Sequence, residues 1–236
     1  CIRDSTSIMR YKKTAKSLGE IGRELGVGSI LEGSLRKYGK KIRVTVQLID
    51  VQTDEHRWSQ NYDRDLSDVF VIQSDVAKNI ADSMKIRLVD EEKQRIQKNP
   101  TSSSEAHSLY LKGRYFWNER KAQSLSRALE YFQKAIEKDP DFALAYVGVA
   151  DCYNVLGEHG HMPIKEACKQ AKDFAMKALE IDDSIAEAHT SLASALTTGN
   201  ETAAAEREFL KAIRLNPSYA TAHHWYAIFL LGRGQI

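Results

Sequence analysis

Cysteine is scarce in this sequence, which contains only Cys1, Cys152 and Cys168. An odd and sparse set does not make the disulfide framework of a small secreted domain. Cys152 and Cys168 fall on segments predicted to form packed helices, so a bridge between them is one interpretation. We favour buried free thiols, because unpaired cysteine behaves as a small apolar residue in protein interiors.

Long apolar runs and an excess of one charge are also missing. No stretch of about 18 apolar residues occurs, and no signal peptide is visible, so we expect no membrane span in this chain. The sequence has 34 basic and 32 acidic residues, a net charge of +2 that would not draw it to nucleic acid or an acidic membrane. Its 236 residues are enough for one large or two ordinary domains.

Catalytic signatures are absent as well. The sequence has no Gly-x-Ser-x-Gly, no P-loop and no Cys-x-x-Cys motif. Gly26 and Gly28 follow a predicted helix rather than a strand, so they indicate a helix cap and a turn instead of a dinucleotide loop. We therefore expect no catalytic residue, no cofactor and no enzyme activity in this part of the protein.

A repeat is the strongest pattern present. Residues 128–140 (ALEYFQKAIEKDP) return as residues 205–217 (AEREFLKAIRLNP), and residues 171–183 have the same spacing of small residues. Small residues seven apart let two helices approach closely, and Phe132 and Phe209 should fill the gap between hairpins. Each copy ends at a helix stop, which is Pro140, Asp183 or Pro217.

A partner helix follows each copy, at residues 143–157, 186–196 and 220–230. Paired helices repeated in this way are the tetratricopeptide (TPR) signature, so we predict an all-α TPR superhelix of about three and a half repeats over residues 105–236. The first two hairpins have wider spacing, which predicts longer loops or longer helices. The last repeat has only its first helix, so we expect the native chain to continue beyond it.

The N-terminal part has a different pattern. Residues 17–25 are predicted to form a helix capped by Gly26, and residues 27–37, 42–51 and 56–62 are predicted to form strands. A helix is expected over residues 69–88, with Ile72, Val76, Ile80 and Met84 as its apolar stripe. We assign residues 1–98 to an incomplete α/β sheet domain of α+β class and residues 99–104 to a linker.

Several motifs of this first domain resemble those of the TolB amino-terminal-like (FlgO-like) domain. They are IGRELGV (21–27), LEGSLR (31–36), VTVQLID (44–50), EHRW (55–58), YDRDL (62–66) and DVFVIQ (68–73), with YLKGRYFW (110–117) and HHWY (223–226) in the TPR part. By this resemblance, residues 2–11 correspond to the second strand of the family domain and the loop after it. The domain would therefore be truncated at its N-terminus, and the TPR part at its C-terminus.

The resemblance also implies a biological setting. This pair of domains commonly lies C-terminal to a bacterial adenylate/guanylate cyclase, a winged-helix regulator or a Ser/Thr kinase. The implied role is a non-catalytic sensory or interaction scaffold of a larger regulatory protein. Two alternatives are the non-catalytic part of a nucleotide cyclase and an envelope-associated assembly or transport factor. The compartment stays open, cytoplasmic or periplasmic, because it depends on whether a membrane helix precedes this region.

Three groups of polar residues suggest ligand sites, and each has a simpler interpretation. His159 and His161 could bind a metal with His223 and His224, but zinc needs three or four supported ligands, so we predict no metal site and expect His223 to pack between helices. Asp63, Asp65 and Asp68 are interpreted as caps at a strand end and a helix start. The basic segment 36–43 is interpreted as a solvated hairpin tip.

The concave face of the TPR stack is the predicted binding surface, because the first helix of each hairpin lines it. Arg114, Asp151, Asn154 and His224 are the predicted polar contacts to a peptide or protein partner. A homo-oligomer is a further possibility for the partner. The full predicted set is Tyr110, Arg114, Trp117, Asp151, Asn154, Thr190, Ser194 and His224, with Val147, Thr197 and Ile228 beside them.

Overall fold

A computed structural model describes residues 11, 14–39, 41–65, 69–86, 93 and 96–234. The chain divides into two compact units, a sheet unit (Cys1–Asn99) and a helical unit (Pro100–Ile236). The sheet unit contains a three-stranded antiparallel sheet, and the helical unit contains paired helices of the TPR kind. The predicted fold class is therefore confirmed.

Helix α1 (Leu18–Leu25) opens the described part of the sheet unit. Ser17 and Glu20 form a reciprocal capping box, in which the Ser17 backbone N–H donates to Glu20 Oε2 at 2.7 Å. Gly26 ends the helix in the left-handed conformation with φ 64°, as predicted. The possible strand at residues 2–10 and Cys1 lie outside the described residues.

The sheet consists of β1 (Ser29–Tyr38), β2 (Lys41–Asp50) and β3 (His56–Asp65), with β2 in the middle. Ile42, Val46 and Leu48 are buried along β2, which confirms the buried face predicted from their alternation. β3 continues three residues beyond the predicted end. Asp63 therefore lies inside the strand, where it pairs with Arg43 of β2 at 2.7 Å, whereas Asp65 is the last residue of β3 and lies at a strand end as predicted.

Helix α2 (Val69–Ser83) packs its buried Ile72 against Ile42, Val46 and Tyr62 of the sheet. The helix is shorter than predicted, because Lys85 adopts φ 55° and the Ile86 N–H returns to the Ala81 carbonyl at 2.8 Å. The helix therefore ends at a left-handed residue that is not glycine, so its end could not be predicted from the sequence. Asp68 and residues 87–88 lie outside the described residues.

In the helical unit, the described residues form seven helices. Four are the first helix of a repeat and three are the second helix. In each of the three complete hairpins, the first helix packs on the second helix that follows it. They are α3 (Ser104–Trp117), α4 (Ala122–Lys138), α5 (Ala143–Glu158), α6 (Ile164–Ile181), α7 (Ala186–Thr198), α8 (Thr202–Leu215) and α9 (Ala220–Gly232).

The turns within and between hairpins have different chemistry. Inside each hairpin the turn passes through one left-handed residue, which is Arg120, Gly160 or Asn200. Between hairpins, the residue that ends the helix accepts a hydrogen bond at its side-chain oxygen from the backbone N–H two residues ahead. The acceptors are Asp139, Asp182 and Asn216, at distances of 3.1, 3.1 and 3.3 Å. The predicted stops at Pro140, Asp183 and Pro217 therefore follow directly after a side-chain cap.

The wider spacing of the second hairpin comes mainly from helix length. Helix α6 has 18 residues, whereas α8 in the third hairpin has 14.

The segment predicted to be a linker, residues 99–104, contributes a residue to the packed helical unit. Thr101 is buried, and its hydroxyl donates to Asp139 at the end of α4.

Phe132 fills the space between the first two hairpins, as predicted. Its side chain is fully buried against Gly113 of α3 and Gly148 of α5. A Cβ atom added at Gly113 would lie 2.5 Å from the Phe132 ring, and one at Gly148 would lie 2.6 Å from it. Phe209 is likewise buried, between the third hairpin and α9. Glycine is therefore required at both contacts with Phe132.

Candidate binding cleft

A buried carboxylate joins three of the first helices. Asp151 of α5 accepts a hydrogen bond from Arg114 of α3 at 2.7 Å through Oδ2, and one from the Ser191 hydroxyl of α7 through Oδ1. The Asp151 side chain is only 3% exposed, so its charge is compensated inside the protein. Asn154 extends this network by donating to the Ser191 carbonyl at 2.9 Å.

Two arginines lie against the indole of Trp117, the last residue of α3. The guanidinium carbon is 4.0 Å from the ring centroid for Arg114 and 3.5 Å for Arg120. Burial lowers the pKa of Arg120, and the nearby charge of Arg114 acts in the same direction. Trp117 is itself buried, and its indole N–H has no acceptor among the described residues.

Two tyrosines border the same network. Tyr110 packs its ring against Phe132 and Phe142, at centroid distances of 5.7 and 5.2 Å, and burial raises its pKa. Tyr219, just before α9, also has a raised pKa, because it is buried and lies in the field of Asp151 and Glu187. At neutral pH both hydroxyls are therefore neutral.

A small open cleft lies between α5, α7, α8 and α9. Its volume is about 130 Å³. One wall is polar and comes from α5 and α7, and the other is mostly apolar and comes from α8 and α9. The lining residues are Asn154, Glu158, Ser194, Thr197, Thr198, Phe209, Trp225, Ile228 and Phe229.

The structure divides the predicted contact residues into two groups. Tyr110, Arg114, Asn154 and Ser194 are partly exposed and His224 is exposed, so these side chains are accessible to a partner. The other three are buried. Asp151 is held by the network just described, Trp117 belongs to the core of the first hairpin, and Thr190 donates to the carbonyl of Ala186 at 2.8 Å in its own helix.

The prediction that His223 packs between helices is wrong. His223 is exposed, and its Nε2 lies 2.9 Å from the Pro217 carbonyl. The equivalent His189 of α7 is buried, with Nδ1 2.5 Å from Glu208 of α8. The difference arises because α8 covers that side of α7, whereas no second helix follows α9 among the described residues.

The histidines at the α5–α6 loop, His159 and His161, are exposed, with ring centroids 6.0 Å apart. Among the described residues, no three His, Cys, Asp or Glu side chains are grouped to hold a metal ion. Cys152 is buried and Cys168 half-buried, and both are free thiols. The Cys168 thiol donates to the Ala195 carbonyl at 2.8 Å.

The basic hairpin tip of the sheet unit carries charges of both signs. Its open hollow is lined by Tyr38, Lys41, Ile42, Arg43, Asp63, Arg64 and Asp65. Arg43 is engaged by Asp63 through two hydrogen bonds of 2.7 and 3.1 Å. The mixture of acidic and basic side chains, rather than a continuous basic patch, favours the interpretation as a solvated turn.

Some residues of the network and the cleft were not among the contact residues predicted from the sequence. Ser191, Arg120, Glu158 and Tyr219 all take part in the network or the cleft. The position of Ser191 could have been predicted from the helical spacing, since it lies three residues before Ser194 on the same helix. Arg120 had no such signal, because it lies in a turn whose left-handed conformation is unusual for arginine.

Known proteins are similar to this chain over only part of their own length. No family model matches the sequence. The chain is 31% identical to "Putative adenylate cyclase 3" of Rhizobium meliloti (strain 1021) over 81% of its own length and 33% of that protein. It is 27% identical to "Transcriptional regulator HilA" of Salmonella typhimurium over 57% of its own length and 24% of that protein. The chain thus spans a third or less of the curated relatives that it matches.

Solved structures similar to this chain include TPR domains. The first TPR domain of human RPAP3 is 15% identical, with a TM-score of 0.46 over 58% of this chain and 95% of that one. The Yersinia enterocolitica translocator chaperone SycD is 16% identical, with a TM-score of 0.42 over 56% of this chain and 96% of that one. None of the described helices combines the length and apolarity needed to cross a membrane.

Proposed function

We propose that this chain is a non-catalytic protein-binding region of a larger bacterial regulatory protein. In this proposal an extended peptide segment of the partner lies along the first helices of the TPR repeats. The observation that carries it is the cleft between α5, α7, α8 and α9, which the partly exposed side chains of Asn154 and Ser194 line together with Trp225 and Ile228. Polar groups beside accessible apolar side chains can bind both the backbone and the side chains of a peptide.

The relatives support a module without chemistry of its own. One is named as a cyclase and the other as a transcriptional regulator, and the similarity covers 33% and 24% of their lengths. A segment found in two proteins with such different names is more readily explained as an accessory region than as the part that performs either activity.

A second candidate setting is the non-catalytic part of a nucleotide cyclase. The cyclase-named relative favours it, because both its identity and its coverage exceed those of the regulator. We expect the purified chain to form no cyclic AMP from ATP and no cyclic GMP from GTP. Formation of either cyclic nucleotide by the chain alone would overturn the non-catalytic assignment.

For the sheet unit we infer a TolB amino-terminal-like domain. Most of the residues that carry this resemblance lie in α1, the three strands and α2. The α2 helix packs on the sheet through Ile72. The full protein sequence would test this inference, since the family domain usually begins with a strand and a helix ahead of the second strand, which the resemblance puts at residues 2–11.

Selection from a random dodecapeptide library displayed on phage tests the binding proposal with the full chain as bait. Ser194→Arg places a long charged side chain in the cleft, and Ser126→Arg makes the same change on the exposed surface of α4. We expect selected peptides to bind the wild type and Ser126→Arg equally, and Ser194→Arg at least about 10-fold more weakly. Thermal melting of the three proteins checks that each is folded.

Two outcomes would contradict the proposal. One is that no peptide is enriched over a bait-free control. The other is that the enriched peptides bind the folded Ser194→Arg variant as tightly as the wild type, which would place their site elsewhere on the molecule.

A further inference from the structure

Arg120 carries a positive charge without a matching carboxylate. Among the described residues, no acidic oxygen lies within ion-pairing distance of its guanidinium, whereas Arg114 beside it is paired with Asp151. Both arginines lie against the same Trp117 ring, so two cations share a half-buried site with one buried anion. Like charges at such short range repel, and a second anion would relieve this repulsion.

Asp151 does not serve as the partner of Arg120. Its Oδ2 accepts from Arg114, and its Oδ1 accepts from Ser191. Both oxygens of this buried carboxylate are therefore already engaged by groups on α3 and α7. Asp151 therefore acts on Arg120 only through its nearby charge, and the Arg120 guanidinium has no direct carboxylate contact among the described residues.

The geometry of Arg120 leaves its donors available. At 3.5 Å from the ring centroid, the guanidinium lies against the face of the Trp117 indole. An arginine stacked in this way keeps the N–H groups at the edge of its plane free to bind a carboxylate with two parallel hydrogen bonds. The aromatic ring also fixes the plane of the guanidinium, so less side-chain entropy is lost on binding.

Arg120 also lies close to the cleft. The charge of Glu158 acts on the Arg120 guanidinium, and the same Glu158 lines the cleft at the end of α5. Glu158 is thus the residue that the cleft and the surroundings of Arg120 have in common.

We propose that Arg120, stacked on Trp117, binds an aspartate or glutamate side chain of the peptide that occupies the cleft. This inference rests on the proposed function, because it assigns one feature of the same partner. The ligand class is therefore an acidic peptide, whose carboxylate neutralises Arg120 while the cleft holds neighbouring residues.

The experiment compares the peptides that different baits select from the random dodecapeptide library. Arg120→Asn removes the charge and retains a residue that tolerates the left-handed backbone at this position, where φ is 55°. Arg127→Asn is the matched control, since it removes an exposed arginine from α4 of the same hairpin. We expect a fixed acidic position in peptides selected by the wild type and by Arg127→Asn, and its loss in those selected by Arg120→Asn.

A synthetic peptide then provides a measurement on the wild type that does not depend on how any variant folds. Replacing the acidic residue of a selected peptide by its amide should weaken binding to the wild type roughly 10-fold, the usual size for one charge-assisted hydrogen-bonded pair. The same replacement should leave binding to Arg120→Asn unchanged.

The outcomes separate this inference from the proposed function. Cleft-dependent peptides with no acidic position, or an amide effect of equal size in wild type and Arg120→Asn, would overturn the role of Arg120 and leave the cleft proposal standing. Unchanged wild-type binding after amide replacement would do the same, and would indicate that Arg120 serves only to cover Trp117. Failure to select any cleft-dependent peptide would overturn both.

Discussion

The Ser191 hydroxyl on α7 donates a hydrogen bond to Asp151 Oδ1 on α5, across a separation of 40 residues in the chain. The same carboxylate binds Arg114 on α3, so one buried charge connects the first helices of three consecutive repeats. In a repeat array each hairpin usually contacts only its neighbours. This network therefore adds a polar link to the apolar contacts that hold the array together.

We expect Asp151→Leu to destabilise the helical unit by roughly 3 kcal/mol or more, because it leaves the Arg114 guanidinium without its counter-charge. Ser191→Ala should cost about 1–3 kcal/mol, because a buried carboxylate oxygen loses its donor. The double variant Arg114→Met/Asp151→Leu should lose less than the sum of its single variants. Urea unfolding followed by circular dichroism measures these three variants and the single variant Arg114→Met, and strict additivity of the pair would argue against the coupling.

The two glycines around Phe132 give a second prediction. Gly113→Ala and Gly148→Ala should each destabilise the helical unit by about 1–3 kcal/mol, because the added methyl group overlaps the Phe132 ring. Gly232→Ala is the control, since nothing lies within 4 Å of a Cβ atom there. Adding Phe132→Leu should reduce the effect of either glycine substitution. The melting temperatures of these variants measure the effect, and equal stability of all three alanine variants would contradict the packing argument.

Much of the helical unit was predictable from sequence because its signals are local. The spacing of Ala128, Phe132 and Ala135 and the stops after each second helix specify hairpins without reference to distant residues. The burial of Asp151 was not predictable, since its partners Arg114 and Ser191 lie 37 and 40 residues away. The exposure of His223 depends similarly on which helix covers α9, and no local pattern contains that information.

The pH dependence of the sheet unit should include a contribution from Asp50. Its carboxylate accepts the backbone N–H of Gln52 at 2.8 Å, the Arg57 side chain at 2.9 Å and the backbone N–H of Thr53 at 3.2 Å. These hydrogen bonds hold its pKa below the ordinary value. The carboxylate therefore contributes stability above its unfolded pKa, and this stability is lost as the pH falls through its lower folded pKa.

Asp50→Asn tests this contribution. We expect the wild type to lose more stability than the variant between about pH 5 and pH 2, because Asp50 takes up a proton more readily in the unfolded chain than in the folded one, and asparagine takes up none. Urea unfolding of both proteins at each pH measures the difference. Parallel losses in wild type and variant would show that Asp50 is not a source of the pH dependence.

The turn between α7 and α8 depends on Asn200, whose φ is 62°. Asn200→Ala should destabilise the third hairpin by about 1 kcal/mol, because alanine adopts the left-handed conformation less readily than asparagine does. Asn200→Gly should be close to neutral. Their difference in melting temperature is the readout, and an alanine variant as stable as the glycine variant would contradict the assignment.

The uniform chemistry of the turns between hairpins has a consequence for engineering. Because Asp139, Asp182 and Asn216 each cap the junction with the same side-chain hydrogen bond, the backbone enters every new hairpin in a similar way. These three positions are natural splice points. A hairpin cassette that begins after one of them and ends at the next could be duplicated or removed to lengthen or shorten the array, with the cleft retained wherever α5, α7 and α9 stay in sequence.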